Sequence, residues 1–267
     1  MIVYPNAKIN LGLRVLNRRP DGFHSLETVF YPVSLFDILE IVPLTGNRAE
    51  RGTVMELYGI PIDSEPSDNL CVQAYNLLKR DFDIPPVGIY LHKNIPSGAG
   101  MGGGSSDAAF TLKALNELFK LELSNDVLAL YAAQLGSDCP FFIYNRPMLG
   151  SGRGEILSPV EVGVLINYKI KVVFPPYFVS TAEAYKGIIP RDKRSQSSNG
   201  EDRLALPELL NRPVESWRDF LVNDFEETVF AKIPEIETYK KNLYNDGAVY
   251  ASMSGSGSAV YGIFRRE

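Results

Sequence analysis

Five glycines fall within seven residues in the run Pro96-Ser97-Gly98-Ala99-Gly100-Met101-Gly102-Gly103-Gly104-Ser105-Ser106. This run joins an alternating stretch, Val87–His92, that reads as a strand to a helical pattern, Ser105–Phe119. Glycine lets backbone N–H groups turn toward an anion, and the first turn of the helix that follows adds unpaired donors and the positive end of its dipole. The chemistry such a loop could do is to hold a polyphosphate. A plain connector has no need of five glycines, each of which loses extra backbone entropy on folding. Two charged residues stand out beside it. Lys8 sits inside an apolar strand pattern (Ile2, Val3, Ile9, Leu11), where an ammonium needs a partner unless it lies on a solvated edge, and Asn10 follows it on the same strand face. Asp138 lies in a turn just before Phe141-Phe142, a setting that could bring a carboxylate to a pocket floor to accept a hydroxyl proton, or could simply end a helix.

The glycine run must be told apart from other nucleotide loops. Gly98-Ala-Gly-Met-Gly-Gly103 satisfies G-x-G-x-x-G, but the acidic residue expected roughly 20 positions on falls at Glu122, between two helical patterns instead of at a strand end. Gly104-Ser105-Ser106 has no lysine and so is not a G-x-x-x-x-G-K-[ST] loop, and protein-kinase signatures are absent. Two further runs, Gly150-Ser-Gly-Arg-Gly154 and Ser254-Gly255-Ser256-Gly257-Ser258, bring ten of the 22 glycines into three places. The first reads as a strand bend. The second lies between two strands, as a hairpin turn or a backbone approach to a ligand.

The 267 residues carry 27 Lys+Arg against 32 Asp+Glu, a net charge of −5. That balance argues against nucleic-acid or anionic-membrane partners, which need a basic face, so phosphate must be held by local geometry. Cys71 and Cys139 are too few for a disulfide framework and lack metal spacing, and read as buried small hydrophobes. No leader pattern begins the chain and no uncharged apolar window approaches 18 residues, which predicts a cytoplasmic protein. Oligomeric state has no signature here.

The elements that would position these groups are mixed α and β. Strands are expected at Ile2–Leu16, Leu26–Val33, Asp37–Pro43 and Val87–His92, and short ones around Cys139–Tyr144 and Met148–Leu157. Tyr168–Phe174 reads as an interior strand, and Ala248–Met253 and Ala259–Phe264 as the two flanking the last glycine run. Helices are expected at Asn69–Phe82 behind a Ser67-Asp68 cap signal, Ser105–Phe119, Ser124–Leu135, Asp224–Lys232 and Pro234–Tyr244. Arg191–Asp202 is polar, Ser-rich and aperiodic, and reads as a mobile surface loop. Beyond the short strands the pattern restarts with Tyr168–Phe174, and a domain boundary is placed near residue 158.

Pro96–Ser106 resembles the ATP-phosphate loop of the GHMP kinases, the superfamily of galactokinase, homoserine kinase and mevalonate kinase. Ala7-Lys-Ile-Asn-Leu-Gly12 and Ser252-Met-Ser-Gly-Ser-Gly-Ser258 are similar to its first and third motifs, in the same order. Pro20-Asp-Gly-Phe-His-Ser25 and Leu135-Gly-Ser-Asp-Cys-Pro-Phe-Phe142 resemble the branch that phosphorylates the 2-hydroxyl of a cytidine-diphosphate ester of a methylated erythritol, in isoprenoid precursor synthesis without mevalonate. The resemblance implies an α+β, two-domain GHMP-kinase fold with its site in the inter-domain cleft. Residues 1–158 would form the ATP-binding domain and 159–267 a ferredoxin-like, substrate-side domain. It further implies ATP as phosphoryl donor, Asp138 as general base, and Lys8 as its partner, stabilising charge on the reacting oxygens.

On the substrate, the resemblance assigns Asn10 to the acceptor, His24 to a bond with the cytosine ring, Phe23 and Tyr185 to stacking on it, and Thr181 to a nearby contact. Relatives commonly have tyrosine at Phe23 and often asparagine at Asp107. Asn69, Lys93 and Asp107 carry over to the adenine side, and Ser105 or Ser106 to Mg²⁺, with no carboxylate assigned to that ion. An acid at Asp107 could equally favour the helix N-terminus through the dipole. Ser254, Gly255, Ser256 and Gly257 would border both ligands. Another GHMP alcohol kinase stays open. So does a non-catalytic nucleotide-binding regulator, because Glu267 follows soon after the last expected strand, where relatives usually add a helix and a strand.

Overall fold

The computed structural model describes residues 1–50, 52–62, 65–193 and 204–266. The strands are β1 (Ile2–Val3), β2 (Asn6–Arg18), β3 (His24–Phe36), β4 (Ile38–Pro43), β5 (Val54–Gly59), β6 (Val87–Lys93), β7 (Met148–Ser151), β8 (Ile156–Pro159), β9 (Tyr168–Val173), β10 (Tyr250–Met253) and β11 (Val260–Arg265). The helices are α1 (Asn47–Glu50), α2 (Leu70–Asp81), α3 (Gly103–Leu118), α4 (Asn125–Leu135), α5 (Cys139–Tyr144), α6 (Thr181–Tyr185), α7 (Leu206–Leu210), α8 (Phe225–Lys232) and α9 (Pro234–Asn245). They form two compact units. The first comprises Met1–Ala7, Pro32–Ser97 and Gly102–Asn145, and the second Lys8–Tyr31, Gly98–Met101 and Arg146–Glu267. The units interleave along the chain, and residue 158, near which the sequence places a boundary, lies inside the second. The reason is strand pairing: β7 joins β3 antiparallel and β8 joins β7, so this hairpin belongs with residues 8–31.

The first unit holds the sheet β1-β4-β6-β5. β4 and β6 are antiparallel, whereas β5 runs parallel to β6. Alternate residues Leu39, Ile41, Ile89 and Leu91 are buried, as are Ala108, Leu112 and Leu115 of α3, which packs on β4. β5 has no counterpart among the expected strands. It is an edge strand with four of its six residues exposed, so it carries a weak apolar signal.

The second unit holds β2-β3-β7-β8 and the antiparallel sheet β10-β11-β9. Leu13, Val15 and Leu26 share one core with Phe225, Val229, Ile236, Leu243, Met253 and Val260. β9, expected as interior, is an edge strand whose Lys169 and Lys171 face solvent, while β11 takes the central place. Gly150–Gly154 is a hairpin instead of a bend: β7 and β8 flank a turn with Gly152 at φ 68° and Gly154 at φ 105°.

Other boundaries move for local reasons. Ile2–Leu16 is two strands, broken at Tyr4-Pro5, since proline gives no ladder donor. Asn69, not the Ser67-Asp68 pair, caps α2, its Oδ1 accepting from Cys71 N at 2.9 Å. α3 begins at Gly103, two residues before Ser105. Cys139–Tyr144 is helical, not a strand, with Pro140 in its first turn, where a missing N–H costs nothing. Of the polar run Arg191–Asp202, residues from 194 on lie outside the described residues. Arg191 itself is not a free surface group: its guanidinium pairs with Asp224 at 2.8 Å. Both cysteines are free and buried, as expected.

Candidate active site

In the second unit, β2 places Lys8 and Asn10 side by side, as strand alternation predicts. Both are buried, and Lys8 Nζ donates to Asn10 Oδ1 at 2.8 Å and to the Gly100 carbonyl at 3.0 Å. The ammonium lies 5.3 Å from the Phe30 ring centroid, a cation–π distance. The Lys8 backbone N–H reaches Met101 O at 3.0 Å, so strand and glycine loop are joined twice.

Two glycine runs meet here. Gly100 O also accepts from Ser254 Oγ at 2.9 Å, and Ala99 O from Ala259 N at 3.2 Å. A Cβ on Gly100 would stand 2.1 Å from Ser254 O, so only glycine allows this approach. Thr181 Oγ1 and Ser256 Oγ are 3.0 Å apart, which joins α6 to the same loop. Asn223, which the sequence reading missed, pins that loop from behind. Its Nδ2 donates to Met253 O and Gly255 O, each at 2.8 Å.

The rings expected to meet a base are divided. His24 stacks on Tyr185 with centroids 4.8 Å apart and planes at 12°, and Tyr185 stands edge-on against Phe225. Phe23 is 54% exposed, its ring face covered by the Arg153 guanidinium at 4.9 Å. Burial, aided by Arg18, lowers the His24 pKa below its usual 6.5, which keeps the imidazole neutral at pH 7.

In the first unit, β6 delivers Pro96 and Ser97, and Gly102 then takes the N-cap position of α3 in the left-handed region. Gly102 has no side chain to cap the helix, so the first-turn N–H groups of Gly103, Gly104 and Ser105 keep their affinity for an anion. A Cβ on Gly103 would stand 2.9 Å from Ile95 and 3.3 Å from Lys93 Nζ.

Lys93 is 1% exposed and bonds to Asp37 and, at 2.7 Å, to Asp107. Burial alone would lower its pKa, but the two carboxylates more than offset that and raise it. The acid at Asp107 is therefore a partner of Lys93, beyond its place near a helix start. Asp37 also accepts from Asn94 N and Ile95 N, which fixes the backbone entering the loop. One lysine cannot neutralise two buried carboxylates. Asp107, with fewer donors and an unpartnered Oδ1, takes the consequence: burial pushes its pKa up to about 7. Asp37 lies 56 residues from Lys93 in sequence and had no motif to announce it.

Ser106 Oγ, fully buried and without a hydrogen-bond partner, is a free oxygen at the start of α3. Among the described residues no group of three or more His, Cys, Asp or Glu side chains could hold a metal. Asp138 occupies the N-cap position of α5 and makes no side-chain capping bond to it.

Similarity to known proteins agrees with these features. Residues 69–146 match the GHMP kinases N terminal domain and 205–267 the GHMP kinases C terminal domain. The chain is 51% identical over 267 residues to the 4-diphosphocytidyl-2-C-methyl-D-erythritol kinase of Bacteroides thetaiotaomicron, covering 100% of this chain and 93% of the relative. It is 39% identical to the protein of that name from Chlorobium phaeobacteroides, covering 97% and 87%. A crystal structure of 4-(cytidine 5'-diphospho)-2C-methyl-D-erythritol kinase superposes with a TM-score of 0.78 at 34% identity, over 98% of this chain and 90% of that one. Methanococcus jannaschii mevalonate kinase, at 15% identity and TM-score 0.69 over 99% and 90%, shares the fold.

Proposed function

Since the chain belongs to the GHMP kinases, and within them to the 4-diphosphocytidyl-2-C-methyl-D-erythritol kinases, we propose that it transfers the γ-phosphoryl group of ATP to the 2-hydroxyl of 4-diphosphocytidyl-2-C-methyl-D-erythritol. The full-length similarity to kinases of that name carries the reading.

Asp138 accepts the hydroxyl proton as the oxygen bonds to the γ-phosphorus; the bond from that phosphorus to the β-bridging oxygen breaks and ADP leaves. The Lys8 ammonium offsets negative charge on the reacting oxygens, and Asn10 orients the acceptor. The residues Pro96–Asp107 hold the phosphates by backbone N–H groups, which explains how an acidic chain binds a polyanion. Asn69 and Lys93 border the adenine side. Ser106, helped by Ser105, has a free oxygen that would hold Mg²⁺. Mg²⁺ would supply charge neutralisation on the phosphates. His24, neutral at pH 7, bonds the cytosine, with Tyr185 and Phe23 as ring contacts, and Thr181 and Ser254–Gly257 line the substrate. A cytoplasmic location belongs to the same proposal, in keeping with two free buried cysteines.

The test is purified protein with ATP and the cytidine substrate, read by ADP release and product mass. One phosphate added per substrate is expected. Phosphorylation of mevalonate or homoserine in its place would overturn the substrate assignment, and no turnover with any alcohol would overturn the kinase reading.

A further inference from the structure

A line of hydrogen bonds runs behind Lys8, entirely within the second unit. Lys8 Nζ donates to Asn10 Oδ1 at 2.8 Å, Asn10 Nδ2 to Thr28 Oγ1 at 2.9 Å, and the Thr28 hydroxyl to the Gly12 carbonyl at 2.6 Å. The three side chains are 3%, 2% and 1% exposed, so water does not compete for them.

The direction of this line is set at its far end. A carbonyl only accepts, so the single Thr28 proton goes to Gly12. The hydroxyl then has only lone pairs to offer Asn10, which must turn its NH₂ toward Thr28. That leaves Oδ1 for an ammonium, which has only donors. A reversed amide would set NH₂ against NH₃⁺ at one end and oxygen against a hydroxyl oxygen whose proton is already engaged at the other. The starting point rests on glycine: Gly12 holds φ +69°, a conformation L side chains rarely adopt, and a Cβ there would lie 2.7 Å from Leu221 Cδ1.

We propose that Thr28 is a positioning residue for phosphoryl transfer, its hydroxyl fixing the orientation of Asn10 and, through it, the ammonium of Lys8. The proposal rests on the reading of Lys8 and Asn10 as site residues. It separates two properties of threonine, shape and hydroxyl, that valine and serine divide between them.

The experiment compares Thr28→Val, Thr28→Ser, Lys8→Met and a core control, Leu243→Ala, in the full chain. Each is assayed for kcat, for KM of ATP and of the cytidine substrate, and for Tm. Thr28→Val is expected to lower kcat roughly 10- to 100-fold, with both KM values within about threefold, since a misplaced catalytic group costs rate more than binding. Thr28→Ser should stay within about threefold of the parent kcat. Leu243→Ala should lose Tm without losing kcat below its transition, which shows that lost stability alone does not produce the effect.

Parent-like kcat in Thr28→Val alongside an inactive Lys8→Met would overturn the role of Thr28 and leave that of Lys8 standing. Thr28→Ser as slow as Thr28→Val would overturn it too, since shape would then be the cause. An active Lys8→Met would overturn the reading of Lys8, and the Thr28 proposal with it. Should Thr28→Val fail to fold, Thr28→Ala against Thr28→Ser makes the same comparison.

Discussion

Among the described residues one almost wholly buried lysine lies in each unit, and the two sit in different surroundings. Lys93 sits between two carboxylates, Asp37 and Asp107, which answer its charge and, through Asp37, fix the backbone at Asn94 and Ile95. Lys8 donates to an amide oxygen and a backbone carbonyl, against an aromatic face, on the strand that also carries Asn10. The carboxylates around Lys93 tie it to the backbone that enters the loop, so its loss should be felt first as stability. The role proposed for Lys8 is toward the reacting oxygens, so its loss should be felt first as rate. Burial is common to both; the difference lies in what each ammonium is placed to serve.

The comparison breaks most easily at Lys93. Lys93→Met leaves two buried carboxylates facing each other and should cost about 3–5 kcal/mol of stability by urea unfolding. A cost below about 1 kcal/mol would remove its architectural role. Lys8→Met should do the reverse, lowering kcat by about 10²–10³ while stability changes much less. Equal losses of stability in the two variants would erase the distinction.

How far this was legible in the sequence differs between the two lysines. Lys8 could be picked out because a charge in an apolar strand is conspicuous and Asn10 follows at the strand period. Lys93 could be placed beside the glycine loop, but Asp37 could not be named as its partner, because the β4–β6 register that brings them together is a long-range pairing with no local signature. Cys139–Tyr144 failed for another reason. Six apolar residues fit a short strand and a short helix equally, and Pro140 in the first turn was the one available clue. The Gly98–Gly104 run was readable since glycine density is itself the signal, whereas Thr28 and Asn223 act through side-chain hydrogen bonds to partners distant in sequence, which leave no local signature.

Smaller effects sharpen the account on the substrate side. Tyr185→Ala and His24→Ala should each raise KM for the cytidine substrate about tenfold with kcat little changed, as expected for loss of a ring contact to one base. Equal effects on the KM of ATP would move these residues to the nucleotide donor. The His24 pKa is lowered by burial, so its neutral form persists to below pH 6.5. KM for the cytidine substrate should therefore stay flat from pH 8 to that point and rise only on further acidification, a rise that His24→Phe abolishes. A rise beginning above pH 7 would contradict the lowered pKa.

The most direct test of the central claim is the single-turnover rate of Asp138→Asn with saturating ATP and cytidine substrate. This variant keeps the size of the side chain and removes its basicity. A fall of about 10²–10⁴ in the phosphoryl-transfer step, with binding of both ligands retained, is the predicted result. A rate equal to that of the parent protein would contradict Asp138 as the base and, with it, the mechanism proposed for this kinase.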